Sequence, residues 1–453
     1  MYYLMARHII YPLAEVFLGT KMLKYLNEFA RTQWWDQEQL RELQNEKLRA
    51  LIKHAYQNVP YYRRIFEEIG MTWRDIQTVD DLTKLPILTK DIIRQNFKEM
   101  IATGVSKCKP FLTATSGSTG EPLQYYLDRK VNSVNWAGMF RSWEWAGYRL
   151  GDKRATLAGS SLVPDKPPSL INRLRWIVEN NRPFSVVHMD KKRMDRYAKE
   201  IAVYKPKFLR GYPSALFTFA KYLEQEGIDN IRPEAVFTTA EMLLPQYRAA
   251  IQRQFGCAVF DQYGCYDGGI QAMECPEHMG YHISTEKVIM EFVDEDKKLV
   301  PVGCSGEILA TDLNNYTMPF IRYAVGDRGT LSGDQCPCGR GLPLMKSLEG
   351  RTTDVITFDN GITLSGPALT LVFKGCLIKQ YQVIQKAGNE LLIKVVKCEG
   401  YTEQDTNHFL SIIKSHVGAE ILIETEFVDE IPLTKAGKYR FIISKINEES
   451  APN

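Results

Sequence analysis

The chain has 453 residues, 44% apolar and 25% charged, with a formal net charge of +3. That length exceeds one ordinary hydrophobic core, so at least two folded domains are expected. The near-balanced charge, without a long basic run, gives no reason to expect nucleic acid as a partner.

No stretch approaches roughly 18 uninterrupted apolar residues, so no transmembrane segment is expected. Residues 1–20 are interrupted by Arg7, His8, Pro12 and Glu15, which suits a core-packed helix better than a signal peptide, with an amphipathic surface element as the alternative. Nine cysteines without a secretion signal point to reduced thiols and a cytoplasmic setting. Gln37 to Gln57 carries Leu40, Leu43, Leu48, Leu51 and Ile52 at near-helical spacing, which predicts a long helix. Asn58-Val59-Pro60 breaks it, and Pro60 suits the first turn of the next. Asp80 to Leu82 reads as a short helix, and Leu85 to Lys90 as a loop entering another.

Residues 115–122 read Thr-Ser-Gly-Ser-Thr-Gly-Glu-Pro between two apolar, β-prone runs. Glycines permit sharp turns, and backbone N–H groups with Ser/Thr hydroxyls can form an anion-binding nest. Taken alone, the stretch is better read as a Ser/Gly-rich hairpin; it lacks the GxxxxGK[ST] pattern. Further on, Val236–Thr239 and Val259–Tyr263 read as strands flanking a helix from Pro245 to Phe255, an alternation typical of a sheet with helices on its faces. After Gly350 the pattern changes. Strands at 380–385 and 390–396, a helix capped by Thr402, a strand at 420–428 and a final strand or hairpin after Gly437 form a small α+β unit.

Four more constellations accompany the Ser/Gly loop. Asp261 to Gly269 sets acids beside a glycine turn at a strand end, where they can hold Mg²⁺ or a ribose. Asp327 follows a glycine in Arg322 to Asp327, Arg351 follows Gly350, and Pro432 to Arg440 is a basic loop. Singly, each reads as a turn or a solvated charge.

Together, in this order, they resemble the adenylate-forming superfamily, and within it the phenylacetate–coenzyme A ligase branch and its CapK-like capsular polysaccharide biosynthesis proteins. That resemblance extends to His54–Tyr62, Leu85–Lys90, Arg210–Ser214 and Cys336–Arg340. It implies an α/β architecture: a large N-terminal domain of stacked sheets with flanking helices (1–350, with a helical start over 1–90 and an ATP- and acyl-binding core over 91–350), and a small mobile α+β lid over 351–453. It implies that Thr115, Ser116, Gly117, Ser118, Thr119 and Gly120 close over the β- and γ-phosphates of ATP. Ala240 and Glu241 would lie beside adenine, Tyr263 and Gly264 would flank it, Asp327 would bind the ribose hydroxyls, and Arg351 would support ribose or phosphate near the hinge. Lys438 would be catalytic, bridging the substrate carboxylate and the α-phosphate. A compact cation between two approaching anions stabilises the transition state more than the separated ground state.

The chain departs from the family at two places. Tyr266-Asp267 stands where Thr/Ser-Glu is usual, so Asp267 would reach Mg²⁺ directly with a shifted backbone, or through water. Thr353 stands at the hinge position, with Asp354 next.

Cys336-x-Cys338 and Cys275-x-x-His278, with His282 four residues on, present soft ligand pairs on two Pro/Gly-rich loops, as structural tetrahedral Zn²⁺ requires. Cys275, Cys336 and Cys338 are three expected ligands. Spacing alone favours His278 as the fourth; the family-like run Gly280 to Ile283 favours His282. Cys108, Cys257, Cys265, Cys304, Cys376 and Cys398 read as small apolar packing residues. Trp136, Phe140, Trp143, Trp145, Tyr212 and Phe237 are candidates for an acyl pocket, although aromatics at helical spacing more often belong to a core. The resemblance implies an aryl or small acyl carboxylic acid as substrate and coenzyme A as acceptor, with an amine or amino sugar as the alternative acceptor and a non-catalytic nucleotide-binding scaffold as the alternative function. It also admits a homodimer.

Overall fold

A computed structural model describes residues 2–105, 110–115, 123–159, 162–163, 170–186, 189–351, 356–360, 362–364, 369, 372–373, 375–418, 420–434 and 439–444. The N-terminal part is helical: α1 (Tyr2–Met5), a π-turn over Ala6–Ile10, α2 (Tyr11–Leu18), α3 (Met22–Thr32), α4 (Gln37–Asn58), α5 (Pro60–Glu68) and α6 (Lys90–Gln95). Local chemistry sets these ends. Asp36 and Gln39 form a reciprocal capping box for α4, and Pro60 opens α5, each satisfying or dispensing with an orphan N–H of a first turn. The opening segment departs from the core-packed expectation. Ala6 and Tyr11 are buried, while Ile9, Leu13, Val16 and Phe17 are exposed.

The helical region is locked to the rest by buried polar contacts. Arg322 forms an ion pair with Glu291, both almost fully buried, and also donates to the carbonyl of Leu85 at 2.6 Å. Tyr62 donates to the Pro319 carbonyl, and Thr32 of α3 donates to Glu286, whose carboxylate also pairs with Arg141 in full burial.

β1 (Phe111–Ala114) and β2 (Gln124–Leu127) form an antiparallel hairpin, with Phe111 opposite Leu127. The chain continues through α7 (Arg129–Glu144), β3 (Arg154–Ala158), α8 (Leu170–Val178), β4 (Asn181–Ser185), α9 (Lys191–Tyr204), β5 (Phe208–Gly211), α10 (Pro213–Gln225), β6 (Ala235–Thr239), α11 (Pro245–Phe255) and β7 (Ala258–Cys265). Antiparallel strands follow: β8 (Ile270–Glu274), β9 (Tyr281–Ile283), β10 (Val288–Val293), β11 (Ser305–Asp312), β12 (Tyr323–Leu331) and β13 (Leu344–Arg351). Eleven strands run as one hydrogen-bonded sheet in the order β10-β11-β12-β13-β9-β8-β7-β6-β5-β3-β4. Strands β4, β3, β5, β6 and β7 are mutually parallel. Their alternation divides two cores. Phe208, Phe237 and Phe260 pack with Trp143 of α7 on one face; Leu209, Val236 and Val259 pack with α9, α10 and α11 on the other. The antiparallel half joins through only two pairs, Leu344 with His282 and Met345 with Tyr281.

The remaining elements are a short ladder of β14 (Ile356–Thr357) and β15 (Thr363–Leu364), then β16 (Ile378–Ala387), β17 (Glu390–Lys397), α12 (Glu403–Val417), β18 (Leu422–Phe427) and β19 (Ile442–Ser444). The last four strands form their own sheet, ordered β18-β17-β16-β19. It covers a separate core that includes Val383, Ile393, Phe409 and Ile413. Thr402 and Asp405 box the N-terminus of α12. No described helix is long and apolar enough to cross a membrane.

Candidate active site

Open parallel sheets bind ligands beyond the carboxyl ends of their strands. Here those ends open into a cavity of about 690 Å³. At the end of β6 the chain turns through Ala240, whose φ of +71° is left-handed for a non-glycine residue, a conformation that stores strain and tends to cluster at functional sites. The turn presents the Glu241 carboxylate to two backbone donors. It accepts from Ser214 N, in the first turn of α10, at 3.0 Å, and from Tyr439 N at 2.9 Å. One side chain therefore ties a helix N-terminus of the large sheet to the segment leading into β19.

The sequence candidates Thr115, Ala240, Glu241, Tyr263, Gly264, Asp267 and Asp327 all line this cavity. Tyr263 donates its hydroxyl to Asp327 at 2.8 Å; burial first, then that carboxylate, hold the phenol well above its ordinary range. Asp267 accepts from Tyr323 at 2.7 Å and from the Cys265 thiol at 3.0 Å, so Cys265 holds an acid as well as packing. Gly269 closes the turn after Asp267 with φ +67°, and a Cβ there would sit 2.5 Å from Asp312. Thr115 accepts from Leu123 N across the neck of the β1–β2 hairpin. Thus the hairpin suggested by composition flanks the Ser/Gly loop, while Ser116, Gly117, Ser118, Thr119 and Gly120 lie outside the described residues. Arg351 ends β13, with its backbone opposite Asp327. Lys438 and the hinge candidates Thr353 and Asp354 also fall outside the described residues. Their neighbours Thr434, Tyr439, Arg440 and Phe441 line the same cavity.

Asp261 is buried and accepts from Thr238 at 2.5 Å and Tyr281 at 2.7 Å. Burial, ahead of these hydrogen bonds, raises it to about 6. Of the candidate acyl-pocket aromatics, Trp136 lines the cavity. Phe140, Trp143, Trp145 and Phe237 pack in the core under α7, and Tyr212 in the core on the opposite face.

Sequence reasoning missed Arg154, Arg175, Glu179 and Arg210, which also line the cavity. A usable signal was present: an arginine inside a short apolar strand, as in Phe208-Leu209-Arg210-Gly211, has no ordinary reason to be buried.

The second constellation lies at the narrow junction of the sheet. Ligand atoms of Cys275, His282, Cys336 and Cys338 all lie within 4.8 Å of one another. The Cys275 and Cys336 sulfurs are 3.5 Å apart, and the Cys338 sulfur is 3.3 Å from His282 Nε2. His282 Nδ1 faces the Leu342 carbonyl at 3.1 Å, which orients the ring and leaves Nε2 toward the thiols. Burial pushes His282 down to about 4 and the Cys275 thiol up to about 12. His278 is not part of the cluster; its Nδ1 lies 3.1 Å from the Glu274 carboxylate. The Cys336–Gly341 turn also carries the N-terminal helices. Arg340 lies over Trp34 and Trp145, and Gly341 N donates to the Gln33 carbonyl. Of the cysteines expected to pack, Cys304 is instead exposed, and Cys108 lies outside the described residues.

Comparison with known proteins agrees with this architecture. Residues 356–445 match the CapK C-terminal domain. Protein CapK of Staphylococcus aureus is 26% identical over 95% of both chains. A phenylacetate-coenzyme A ligase of Pseudomonas putida is 29% identical over 70% of this chain and 72% of its own. Among solved structures, 2-hydroxyisobutyryl-CoA ligase in its postadenylation state, in complex with R3-HIB-AMP, superimposes with a TM-score of 0.75, covering 93% of each chain at 18% identity. The chain is therefore related to CapK and the phenylacetate–coenzyme A ligases, and it has the fold of the adenylate-forming ligases.

Proposed function

We propose that this relative of CapK and the phenylacetate–coenzyme A ligases is an AMP-forming ligase that activates a carboxylic acid with ATP and passes the acyl group to coenzyme A. The observation that carries this reading is the shared cavity. Ala240 and Glu241, Tyr263, Asp267 and Asp327 line it from the large sheet, and Thr434 and Tyr439 line it from the C-terminal unit.

In the first step a carboxylate oxygen of the acid attacks the α-phosphorus of ATP, and pyrophosphate leaves with the electrons of the broken P–O bond. Thr115 to Gly120 hold the β- and γ-phosphates through backbone and hydroxyl donors. Asp327, positioned by Tyr263, accepts from the ribose hydroxyls, and Arg351 supports ribose or phosphate. Ala240 and Glu241 border the adenine with Tyr263 and Gly264. Lys438 is assigned the role of the cation that stabilises the carboxylate and the α-phosphate as their charges converge. In the second step the acceptor sulfur attacks the acyl carbonyl and AMP leaves.

The unit over 351–453, turning near 352–354, withdraws Lys438 between steps and admits the acceptor. Asp267 fits a magnesium site: it is an acid at the cavity wall whose oxygens each keep a second lone pair beyond the Tyr323 and Cys265 contacts. Mg²⁺ there would neutralise phosphate charge. Cys275, His282, Cys336 and Cys338 fit structural Zn²⁺, because three thiols and an imidazole with its other nitrogen engaged converge at one point. Zn²⁺ there would cross-link the sheet junction to the turn beneath the N-terminal helices.

The match to CapK along 95% of both chains supports a second reading, in which an amine of a surface-polysaccharide precursor accepts the acyl group. ATP–pyrophosphate exchange across a panel of carboxylic acids tests the shared first step. At least one acid should support exchange, and Lys438→Ala should abolish it; exchange that survives in the variant rules out the assigned role. Product analysis with coenzyme A and with amino sugars then separates the acceptors.

A further inference from the structure

The inner end of the cavity, under α7, carries more positive charge than the described residues neutralise. Arg154 on β3, Arg175 on α8 and Arg210 on β5 all line it, and Glu179 is the carboxylate among them. Glu179 is already shared: one oxygen accepts from Arg154 at 3.1 Å, the other from Arg175 at 2.6 Å. Arg210 is 7% exposed and forms no ion pair among the described residues, and its Nε has no hydrogen-bond partner. Arg154 is 1% exposed, and its Nε and Nη1 have no hydrogen-bond partner among the described residues. Both guanidinium groups lie near the Trp143 ring, at 4.6 Å and 5.2 Å from its centroid. A ring quadrupole repays only part of the cost of removing a guanidinium from water. Burial and the neighbouring Arg154 push Arg210 down to about 9, so it remains cationic at neutral pH. The surrounding wall is also polar: Thr156, Asn181 and Gln262 line the same space, and Gln262 Oε1 is unpartnered.

Strand register separates this charge from the reacting centre. Arg210 stands level with Phe237 of β6, and Phe237 with Phe260 of β7. The Ala240–Glu241 turn follows the end of β6 at Thr239. The arginines therefore sit deeper along the strands than the groups assigned to ATP. A planar guanidinium with free donors is matched to a carboxylate or another compact oxyanion.

We infer that the acid activated by this protein carries a second anionic group, which Arg210, assisted by Arg154, holds at the inner end of the cavity while the first carboxylate faces ATP. This inference rests on the ligase reading above and specifies its substrate class as a small dicarboxylate or an equivalent phosphono- or sulfo-carboxylate. Neither a phenyl ring nor an alkyl chain would satisfy the donors that Arg210 and Arg154 leave unpartnered.

The test uses the full-length protein with saturating ATP. Malonate, succinate, glutarate and adipate are compared in pyrophosphate exchange with monocarboxylates of equal length, with hydroxy acids, with phenylacetate, and with phosphono- and sulfo-carboxylates. The wild type should favour a doubly anionic acid, and the type of second group should be evident from the matched pairs. Arg210→Met should lower the ratio of kcat/KM for that acid over its monocarboxylate by about a hundredfold, the scale of a lost buried charge pair, and Arg210→Lys should recover part of it. The melting temperature of Arg210→Met should not fall, since an unpaired buried charge is removed. A wild-type preference for a monocarboxylate, a hydroxy acid or phenylacetate overturns the inference and leaves the ligase reading intact, as does an unchanged ratio in Arg210→Met. If no acid supports exchange, the ligase reading fails; thermal shift by the dianions alone then decides the site. A shift that Arg210→Met removes supports the inference, and no shift overturns it.

Discussion

Glu241→Gln is a specific test of how the C-terminal unit is held over the cavity. The carboxylate gives one oxygen to Ser214 N at 3.0 Å and the other to Tyr439 N at 2.9 Å. An amide keeps the shape but offers one acceptor oxygen, and its NH₂ group faces a backbone N–H. One of the two charge-assisted bonds is lost, and the survivor is weakened. Such a bond contributes about 1.5–3 kcal/mol; Glu241 is half-buried, so solvent screening lowers this to about 1.4 kcal/mol, equivalent to about tenfold in an equilibrium. If Tyr439 docking populates the state competent for adenylation, pyrophosphate exchange at saturating ATP should fall about tenfold. Transfer of the acyl group from preformed acyl-adenylate to coenzyme A should change by less than about twofold, because that step follows release of the contact. Saturating ATP keeps altered nucleotide affinity out of the comparison. Unchanged exchange, or an equal fall in both half-reactions, would refute the latch.

Two further outcomes concern stability. Purified protein should contain about one equivalent of zinc; Cys338→Ser and His282→Ala should lose it and lower the melting temperature, whereas His278→Ala should retain it, and metal analysis of the three variants checks the ligand choice. Asp261 has a native value of about 6 against about 3.9 when unfolded, so between these values the native state binds a proton that the unfolded state lacks. Its contribution to stability is therefore present below about pH 4 and is lost as pH rises through about 6, a change of roughly 3 kcal/mol. Urea unfolding across that range should show this fall in wild type and a flatter profile in Asp261→Asn; identical profiles would count against the assignment.

Local signals were legible wherever chain neighbours decide the outcome. Leu40, Leu48, Leu51 and Ile52 specify the buried stripe of α4, Pro60 its successor, and Thr402 the start of α12, because periodicity and capping act over a few residues. The order of motifs likewise placed Thr115, Tyr263, Asp267 and Asp327 around one site. The N-terminal segment was harder to read, since its apolar residues reveal a face but not whether anything covers it. Choosing between His278 and His282 was beyond spacing for a similar reason. The chelate distance along the chain favours His278, but the Glu274 carboxylate holds His278, and the β9–β13 pairing turns His282 to Cys338.

The sequence by itself determined the α/β alternation, the small C-terminal unit and the kind of chemistry its motifs resemble, because these depend on residue types at short range. Tertiary structure alone decided that Glu241 meets Tyr439, that three cysteines and a histidine converge across the sheet junction, and that Arg210 is buried beside Arg154 with no ion pair among the described residues. Those facts depend on desolvation and on contacts between residues tens to hundreds of positions apart, and a guanidinium acquires its meaning only from the groups that surround it in space.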